Sequence, residues 1–348
     1  MLLGKLGQSQ VIARPASRRG HPALGGLCAR IGLITPPDTV GAATLDDLVA
    51  QAVEAESDGF ASLWYVQLPM NGSDTLMAIA LAGRETSRIE LGTGVVPIQP
   101  RHPLVMAQQA LTAQVACGGR LALGVGLSHA LVVEQLMGLS YARPAATMRE
   151  YLSVLRPLIE GAGLAHAGDL YNVRARLEVP DARRCPILVA ALGPAMLRVA
   201  GELADGTITW LTGPRTIGEH VAPRIQAAAR SAGRPEARVV VSLPLAVTDE
   251  VDAAREQVAK SLQMYGALPS YRRMLDMEGA AGPGDVAIVG DEAEVERQLR
   301  AFADAGATEL AAAVFAVGDD RAGSLDRTRA LLRTLAREAA RGSASAAP

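Results

Sequence analysis

Side chains that could do chemistry follow several short apolar runs of this sequence. Ser128 and His129 come directly after the run LALGVGL. Because an imidazole ionises near neutral pH, His129 is a candidate for proton transfer. A lone histidine is more often structural than catalytic. Here His129 lies beside Ser128 at the end of an apolar run, and this position makes a catalytic role as well supported as a structural one. The other histidines are interpreted as structural: His21, His102, His166 and His220.

The stretch LGTGVVPIQPRHP is a second candidate site. Gly92 and Gly94 flank Thr93 inside an apolar segment. Glycines at such positions indicate a β-bulge or another irregular backbone. In the next apolar run, Gly124 and Gly126 are predicted to thin the strand so that a flat ligand can approach.

Two later loops combine glycine with the start of a predicted helix. Gly193 and Pro194 open one helix, while Thr212 and Gly213 lie between a strand and the next proline. Backbone N–H groups at a helix N-terminus bind anions, so the two loops together predict a phosphate site. Arg198 lies one turn into the first helix and would add positive charge, but an exposed helical arginine is an equally good interpretation.

The sequence contains no metal-ligand pattern, nucleophile elbow or P-loop. Its three cysteines, Cys28, Cys117 and Cys185, are far apart and none belongs to a CxxC pair. This pattern argues against a disulfide scaffold or a zinc site and favours a reducing compartment, here the cytoplasm. We therefore predict a site that holds an organic cofactor without a metal.

Strands and helices must alternate to position these loops. Short apolar runs indicate strands, and runs with a period near 3.6 residues indicate helices. Predicted strands begin near residues 31, 62, 89, 121, 187, 206, 239 and 309, and a helix follows each one. Eight such units predict a (β/α)8 TIM barrel, whose active site lies at the carboxyl ends of the strands. A doubly wound sheet is the alternative, but no GxGxxG follows the first strand.

The chain is predicted to form a single barrel domain over residues 30–339. Residues 1–29 are basic, lack the apolar segment of a secretory signal, and are expected to be a disordered extension. Residues 340–348 are expected to be a disordered tail. Two insertions interrupt the alternation: a hairpin within 161–180 and a helical segment within 265–282. The loops after the fourth and seventh strands are expected to shape the substrate pocket.

Composition excludes some classes of partner. The chain has 348 residues, with 34 basic and 36 acidic side chains and a net charge of −2. This balance provides no field for nucleic acid or an anionic membrane surface. No segment reaches the ~20 unbroken apolar residues of a membrane span. The predicted partner is a small-molecule substrate.

Taken together, five segments resemble the bacterial luciferase-like family of flavin and deazaflavin oxidoreductases. They are AVEAESDGFASLWYVQ, RIELGTGVVPIQPRHPLVMAQQALTAQ, GGRLALGVGLSHA, AALGPAMLRVAGELADGTITW and GDVAIVGDEAEVERQLRAFADAGATE. The pairing of LGTGVVPIQPRHP with GLSH is similar to the branch that uses the deazaflavin coenzyme F420. The resemblance implies hydride transfer between C5 of F420 and a small organic substrate: an activated C=C or C=N bond, or an alcohol.

The resemblance also implies which residues contact the cofactor. The family has a non-prolyl cis peptide at the end of its third strand, which falls at Gly94–Val95, and this bulge, with Val96, backs the ring. Gln67 occupies a position that often contacts the ring, and Ser128 and His129 line the substrate face. The remaining implied cofactor contacts lie in the loops after the fifth and sixth strands: Ala191, Leu192, Gly193, Pro194, Trp210, Thr212 and Gly213.

The sequence departs from the sugar-phosphate dehydrogenases of this family. Those enzymes have a catalytic histidine after the second strand and a glutamate after the fourth, where this sequence has Leu68 and His129. The departure argues against glucose 6-phosphate oxidation and leaves His129 as the candidate proton donor. Two alternatives stay open: a monooxygenase that uses reduced FMN and oxygen, and a barrel that binds a flavin without catalysis. The resemblance also favours a homodimer.

Overall fold

The computed structural model describes residues 30–36, 42–68 and 72–345. The predicted extension over 1–29 lies outside these residues. The strands in chain order are β1 (Arg30–Ile34), β2 (Ser62–Tyr65), β3 (Glu90–Thr93), β4 (Val96–Pro97), β5 (Leu121–Gly126), β6 (Leu164–Ala167), β7 (Asn172–Ala175), β8 (Ile187–Val189), β9 (Gly206–Trp210), β10 (Arg238–Val247), β11 (Ile288–Gly290) and β12 (Glu309–Val314).

Eight parallel strands close into a barrel in the order β1, β2, β3, β5, β8, β9, β10, β12 and back to β1. The predicted TIM barrel is confirmed. β4 follows β3 and also pairs with β5. The strand β11, which was not predicted, pairs with the carboxyl-terminal residues of β10. β6 and β7 form the antiparallel hairpin of the first insertion. β11 has only three residues and lies outside the eight predicted strand–helix units.

Helices surround the barrel. The α-helices are α1 (Leu45–Asp58), α2 (Thr75–Glu85), α3 (Pro103–Ala116), α4 (Pro144–Ile159), α5 (Pro194–Leu203), α6 (Pro214–Thr216), α7 (Ala222–Ser231), α8 (Val251–Ser261), α9 (Gln263–Ala267), α10 (Pro269–Glu278), α11 (Glu292–Asp304) and α12 (Arg321–Ser345). Two π-helices and one 3-10 helix complete the set: Val132–Leu136, Ile217–Val221 and Pro283–Val286.

Local sequence explains where several helices begin. The Thr44 hydroxyl accepts a hydrogen bond from Asp47 N, and the Asp47 carboxylate accepts one from Thr44 N, which together form a capping box at α1. The Asp74 carboxylate caps α2 by accepting a hydrogen bond from Met77 N at 3.1 Å. α12 extends through Ser345, into the segment 340–348 where a disordered tail was expected, and its residues 336–341 are the good helix formers alanine, arginine and glutamate.

An ionic cluster closes the amino-terminal end of the barrel interior. The buried Glu309 carboxylate accepts hydrogen bonds from Arg30 (3.0 Å) and Arg238 (2.7 Å), and Arg238 also binds Glu90 at 2.7 Å. The Trp64 indole donates to Glu309 at 2.9 Å. Among the described residues, this cluster fills the amino-terminal end of the barrel, so we expect a ligand to enter from the carboxyl end of the strands.

Candidate active site

The third barrel strand ends in the β-bulge that its glycines predict. From Gly92 to Val96 the chain advances four residues, while the paired β5 advances three, from Ala122 to Val125. The Gly94–Val95 peptide bond is cis, at the position that the resemblance gives. Gly94 and Val95 are partly exposed, whereas the Val96 side chain is fully buried in the barrel wall. Val96 therefore offers no side-chain surface to a cofactor.

The glycines of β5 serve the bulge and not a ligand. A Cβ at Gly124 would lie 2.0 Å from the Thr93 carbonyl oxygen, and one at Gly126 would lie 2.6 Å from Cγ2 of Val95. The Thr93 hydroxyl accepts a hydrogen bond from Gly124 N at 2.8 Å and donates one to Gly124 O at 2.7 Å. The prediction that these glycines make room for a flat ligand is wrong, because the bulge already fills the space.

Ser128 and His129 lie together at the carboxyl end of β5. Ser128 has a φ of +57°, which is unusual for a residue with a side chain and is common at functional sites. The His129 ring lies edge-on to two tyrosines, with its centroid 6.0 Å from that of Tyr265 and 5.9 Å from that of Tyr271. Burial lowers the pKa of His129, so the neutral imidazole predominates at pH 7.

An aromatic cluster at the barrel mouth consists of His129, Tyr265, Tyr271 and Trp210. Centroid distances are 5.3 Å between the two tyrosine rings and 6.3 Å between Tyr265 and Trp210. Burial raises the pKa of both tyrosines, which keeps their hydroxyls protonated. Sequence reasoning assigned the second insertion to the substrate pocket but missed these side chains. The chain has six tyrosines, and two of them lie in this short insertion. This concentration is the sequence signal that could have revealed them.

The loop before α5 offers free backbone donors. Among the described residues, no side chain accepts a hydrogen bond from the N–H of Ala195 or Met196 in the first turn. A Cβ at Gly193 would meet nothing within 4 Å, so the approach to these N–H groups is open. The buried His220 holds the loop by donating from Nε2 to the Leu192 carbonyl at 2.7 Å.

The side chains around the start of α5 differ in their exposure to solvent. Pro194 and Arg198 are exposed, whereas Ala191 is buried. Ala191 therefore presents no side chain to a ligand, and Arg198 is available to one.

The loop before α6 is already occupied by an internal carboxylate. Glu278 accepts hydrogen bonds from Arg215 N at 3.1 Å and Thr216 N at 2.7 Å. A Cβ at Gly213 would lie 2.3 Å from the carboxyl carbon of Glu278. Thr212 is fully buried, and its hydroxyl donates to the Trp210 carbonyl at 3.2 Å. The donors that predicted a phosphate site here are therefore taken by this chain's own residues.

Gln67 is partly exposed, but its side chain positions a helix. Its Oε1 accepts hydrogen bonds from the N–H and the hydroxyl of Thr75, at 3.0 Å and 3.1 Å. Its Nε2 donates to the Leu68 carbonyl at 3.4 Å. The side-chain amide is thus committed to the start of α2.

The described part of the chain offers neither a metal site nor a membrane-spanning helix. There, no group of three or more histidine, cysteine, aspartate or glutamate side chains could hold a metal ion. In the same residues, no helix is both long enough and apolar enough to cross a membrane. A cavity of about 260 Å³ lies beside Glu278 and α11, and no residue of the aromatic cluster lines it.

Comparison with known proteins identifies the family. Residues 30–338 match the family model for luciferase-like monooxygenases, and the chain belongs to this family. It is similar to the 5,10-methylenetetrahydromethanopterin reductase of Methanolobus tindarius, with 26% identity over 266 residues that cover 72% of this chain and 80% of that protein.

Two solved structures resemble the barrel. One is an F420-dependent secondary alcohol dehydrogenase in complex with an F420–acetone adduct, with a TM-score of 0.70 at 18% identity over 87% of this chain and 97% of that one. The other is the oxygenating constituent of 3,6-diketocamphane monooxygenase from Pseudomonas putida in complex with FMN, with a TM-score of 0.70 at 18% identity over 90% and 98%. At such identities they establish the shared fold alone.

Proposed function

We propose that this protein is an F420-dependent oxidoreductase that transfers a hydride between C5 of the deazaflavin and a small organic substrate. One observation carries the proposal: the Gly94–Val95 bulge and the aromatic cluster around His129 share the barrel mouth. β3 is the third strand of the ring and β10 the seventh, so the bulge faces β9 and β10 across the barrel. A flat ring against the bulge would turn its other face towards the cluster.

The phosphate side of the cofactor is proposed to bind at the N-terminus of α5. The N–H groups of its first turn are free of side-chain acceptors, and Gly193 leaves their approach open. The exposed Arg198 on the same helix adds positive charge. Thr212 and Gly213 are not proposed as phosphate ligands, because Glu278 already binds that helix start.

In this proposal, bound F420 supplies the hydride chemistry at C5, and the chain supplies orientation and proton transfer. The neutral imidazole of His129 accepts the proton of a substrate hydroxyl during oxidation and returns it during reduction. The tyrosine rings of the aromatic cluster pack against the substrate and exclude water from it.

A cofactor titration of the purified protein tests this function. We expect saturable quenching of F420 fluorescence, and weaker or no binding of FMN. An absence of saturable F420 binding would overturn the proposal. The FMN-bound structural neighbour gives the main alternative, a flavin monooxygenase. Substrate-dependent oxygen uptake with reduced FMN would support that alternative, because a 5-deazaflavin does not form the reactive oxygen adduct.

We also propose that the protein is a cytoplasmic homodimer. Met77 and Leu81 on α2 and Val105 and Val115 on the adjacent α3 expose apolar side chains, with Met77 66% exposed. A second copy would bury this face. Light scattering should give twice the chain mass for the native protein, and a monomer mass for the Leu81→Arg variant. A native monomer would contradict the dimer.

A further inference from the structure

Two buried polar atoms at the barrel mouth have no hydrogen-bond partner. They are the indole Nε1 of Trp210 and the hydroxyl of Ser242. The Ser242 side chain is 0% exposed. Buried donors are nearly always paired, because an unpaired one loses its hydration without compensation. Two such atoms on neighbouring strands therefore call for an explanation.

Both side chains point into the barrel from the same level. Trp210 and Ser242 are register partners on β9 and β10, which places their backbones ~5 Å apart. Ser242 shares its face of β10 with Arg238, whose guanidinium binds Glu309 inside the barrel. Successive side chains of a strand point to opposite faces, so Arg238 and Ser242, which are four residues apart, point to the same face.

The inward direction of Trp210 follows in the same way. Ile208, two residues earlier on β9, lies inside the barrel, since its Cδ1 is 3.6 Å from the position of a Cβ at Gly94. Trp210 therefore faces inward as well. Its ring also contacts Tyr265, which links it to the aromatic cluster around His129.

The neighbouring strand carries small side chains next to this pair. The other register partner of Ser242 is Ala311 on β12, and the next inward residue on β12 is Ala313. Both side chains are single methyl groups. The two unpaired donors thus border small side chains, on the side of the barrel opposite the Gly94–Val95 bulge.

We propose that Trp210 Nε1 and Ser242 Oγ are a hydrogen-bond pair that holds an uncharged oxygen of the substrate. This rests on the proposed function and names its substrate class: an apolar ketone or the corresponding secondary alcohol. Two donors match the two lone pairs of a ketone or alcohol oxygen, and the O–H of the alcohol then stays available to donate to His129. The two donors carry no formal charge and do not lie at a helix N-terminus, so a carboxylate or phosphate would lose more hydration here than the pair returns.

The test follows the indole N–H groups by nitrogen-15 NMR with cyclohexanone as the probe. The chain has two tryptophans, and Trp210→Phe assigns their resonances. We expect a saturable shift of the Trp210 resonance, and none for Trp64, whose N–H already donates to Glu309. Cyclohexanecarboxylate should bind at least tenfold more weakly. Equal binding of the carboxylate, or no saturable shift, would overturn the proposal.

Ser242→Ala should weaken cyclohexanone binding by about fivefold, the loss of one ordinary hydrogen bond. The same variant should unfold at the same temperature as the native protein or higher, because no protein hydrogen bond is removed. Ser153→Ala, on the outer helix α4, is the matched control and should leave cyclohexanone binding unchanged. Unchanged binding in Ser242→Ala would overturn the pair, and a large loss of stability would make Ser242 structural.

Measurements with and without F420 separate this proposal from the proposed function. The indole shift is read in both cofactor-free and F420-saturated protein, while F420 binding is measured by fluorescence. Failure of F420 to bind would overturn the proposed function and leave the ketone site to be judged by the indole shift. If F420 alone shifts the Trp210 resonance and abolishes its response to cyclohexanone, the pair binds the cofactor and the substrate assignment is wrong.

Discussion

The Glu278 carboxylate accepts a hydrogen bond of 2.7 Å from the backbone N–H of Thr216. Glu278 is the last residue of α10, and Thr216 is in the first turn of α6. A negative charge at a helix start is stabilising, so the chain itself supplies the anion that the sequence pattern suggested a ligand would supply. At the Gly193 loop, by contrast, no described side chain caps the start of α5, and a Cβ at Gly193 would meet nothing within 4 Å.

Gly193→Ala should weaken F420 binding by about tenfold, or ~1.4 kcal/mol. The fold tolerates the added methyl group, because it would meet nothing within 4 Å, but it would block a phosphate from the N–H groups of α5. Fluorescence titration measures the change. Gly282→Ala is the matched control, since a Cβ there also meets nothing within 4 Å. Native affinity in Gly193→Ala would place the phosphate elsewhere.

The rate of alcohol oxidation should fall on the acid side of a pH profile. Burial lowers the pKa of His129, so the inflection in kcat/KM should lie below the ordinary histidine value of ~6.5. Protonation removes the base, which is why the rate is lost as the pH falls. His129→Gln should lower the rate by about 10²–10⁴-fold and abolish this inflection. An unchanged profile in His129→Gln would exclude His129 as the base.

Glu309→Gln should lower the free energy of unfolding by about 3–5 kcal/mol, because it removes a buried carboxylate and leaves Arg30 and Arg238 with Glu90 as their one shared counter-ion. Urea unfolding measures the change. Glu219→Gln is the matched control: its pair with Arg215 is more than half exposed on both sides and should contribute less than about 1 kcal/mol. Equal effects of the two substitutions would show that the barrel floor does not depend on this ionic cluster.

Glu56 should make stability depend on pH in the acid range. Burial raises its pKa, but hydrogen bonds from the N–H groups of Ile89, Arg88 and Ser87 outweigh burial and lower the pKa to about 2. A lowered folded-state pKa gives stability that is fully present above the unfolded value of ~4.3 and is lost as the pH falls towards 2. Glu56→Gln should therefore be less stable than the native protein at pH 7.

The stability difference between Glu56→Gln and the native protein should shrink as the pH falls from about 4 to 2. Thermal unfolding across this range measures it. A difference that stays constant down to the lowest pH would show that the carboxylate charge is not what holds the turn before β3.

The sequence by itself determined the repeating architecture, because each repeat is a local pattern. Apolar runs and helical periods predicted the eight barrel strands, and Gly92 and Gly94 predicted the bulge between Leu91 and Val96. Ser128 and His129 were candidates from the sequence because both follow a strand whose carboxyl end must lie at the barrel mouth. The sequence did not predict that this bulge divides the third strand into β3 and β4, since Val95 and Val96 continue its apolar run.

Tertiary structure alone decided which of these groups meet and which are already satisfied. Glu278 and Thr216 are 62 residues apart, and only the packing of α10 on α6 brings the carboxylate to that helix start. Strand register alone pairs Trp210 with Ser242, and the second insertion places Tyr265 against His129. A local pattern shows which groups could bind a ligand. Only the folded chain shows which of them it has already used for itself.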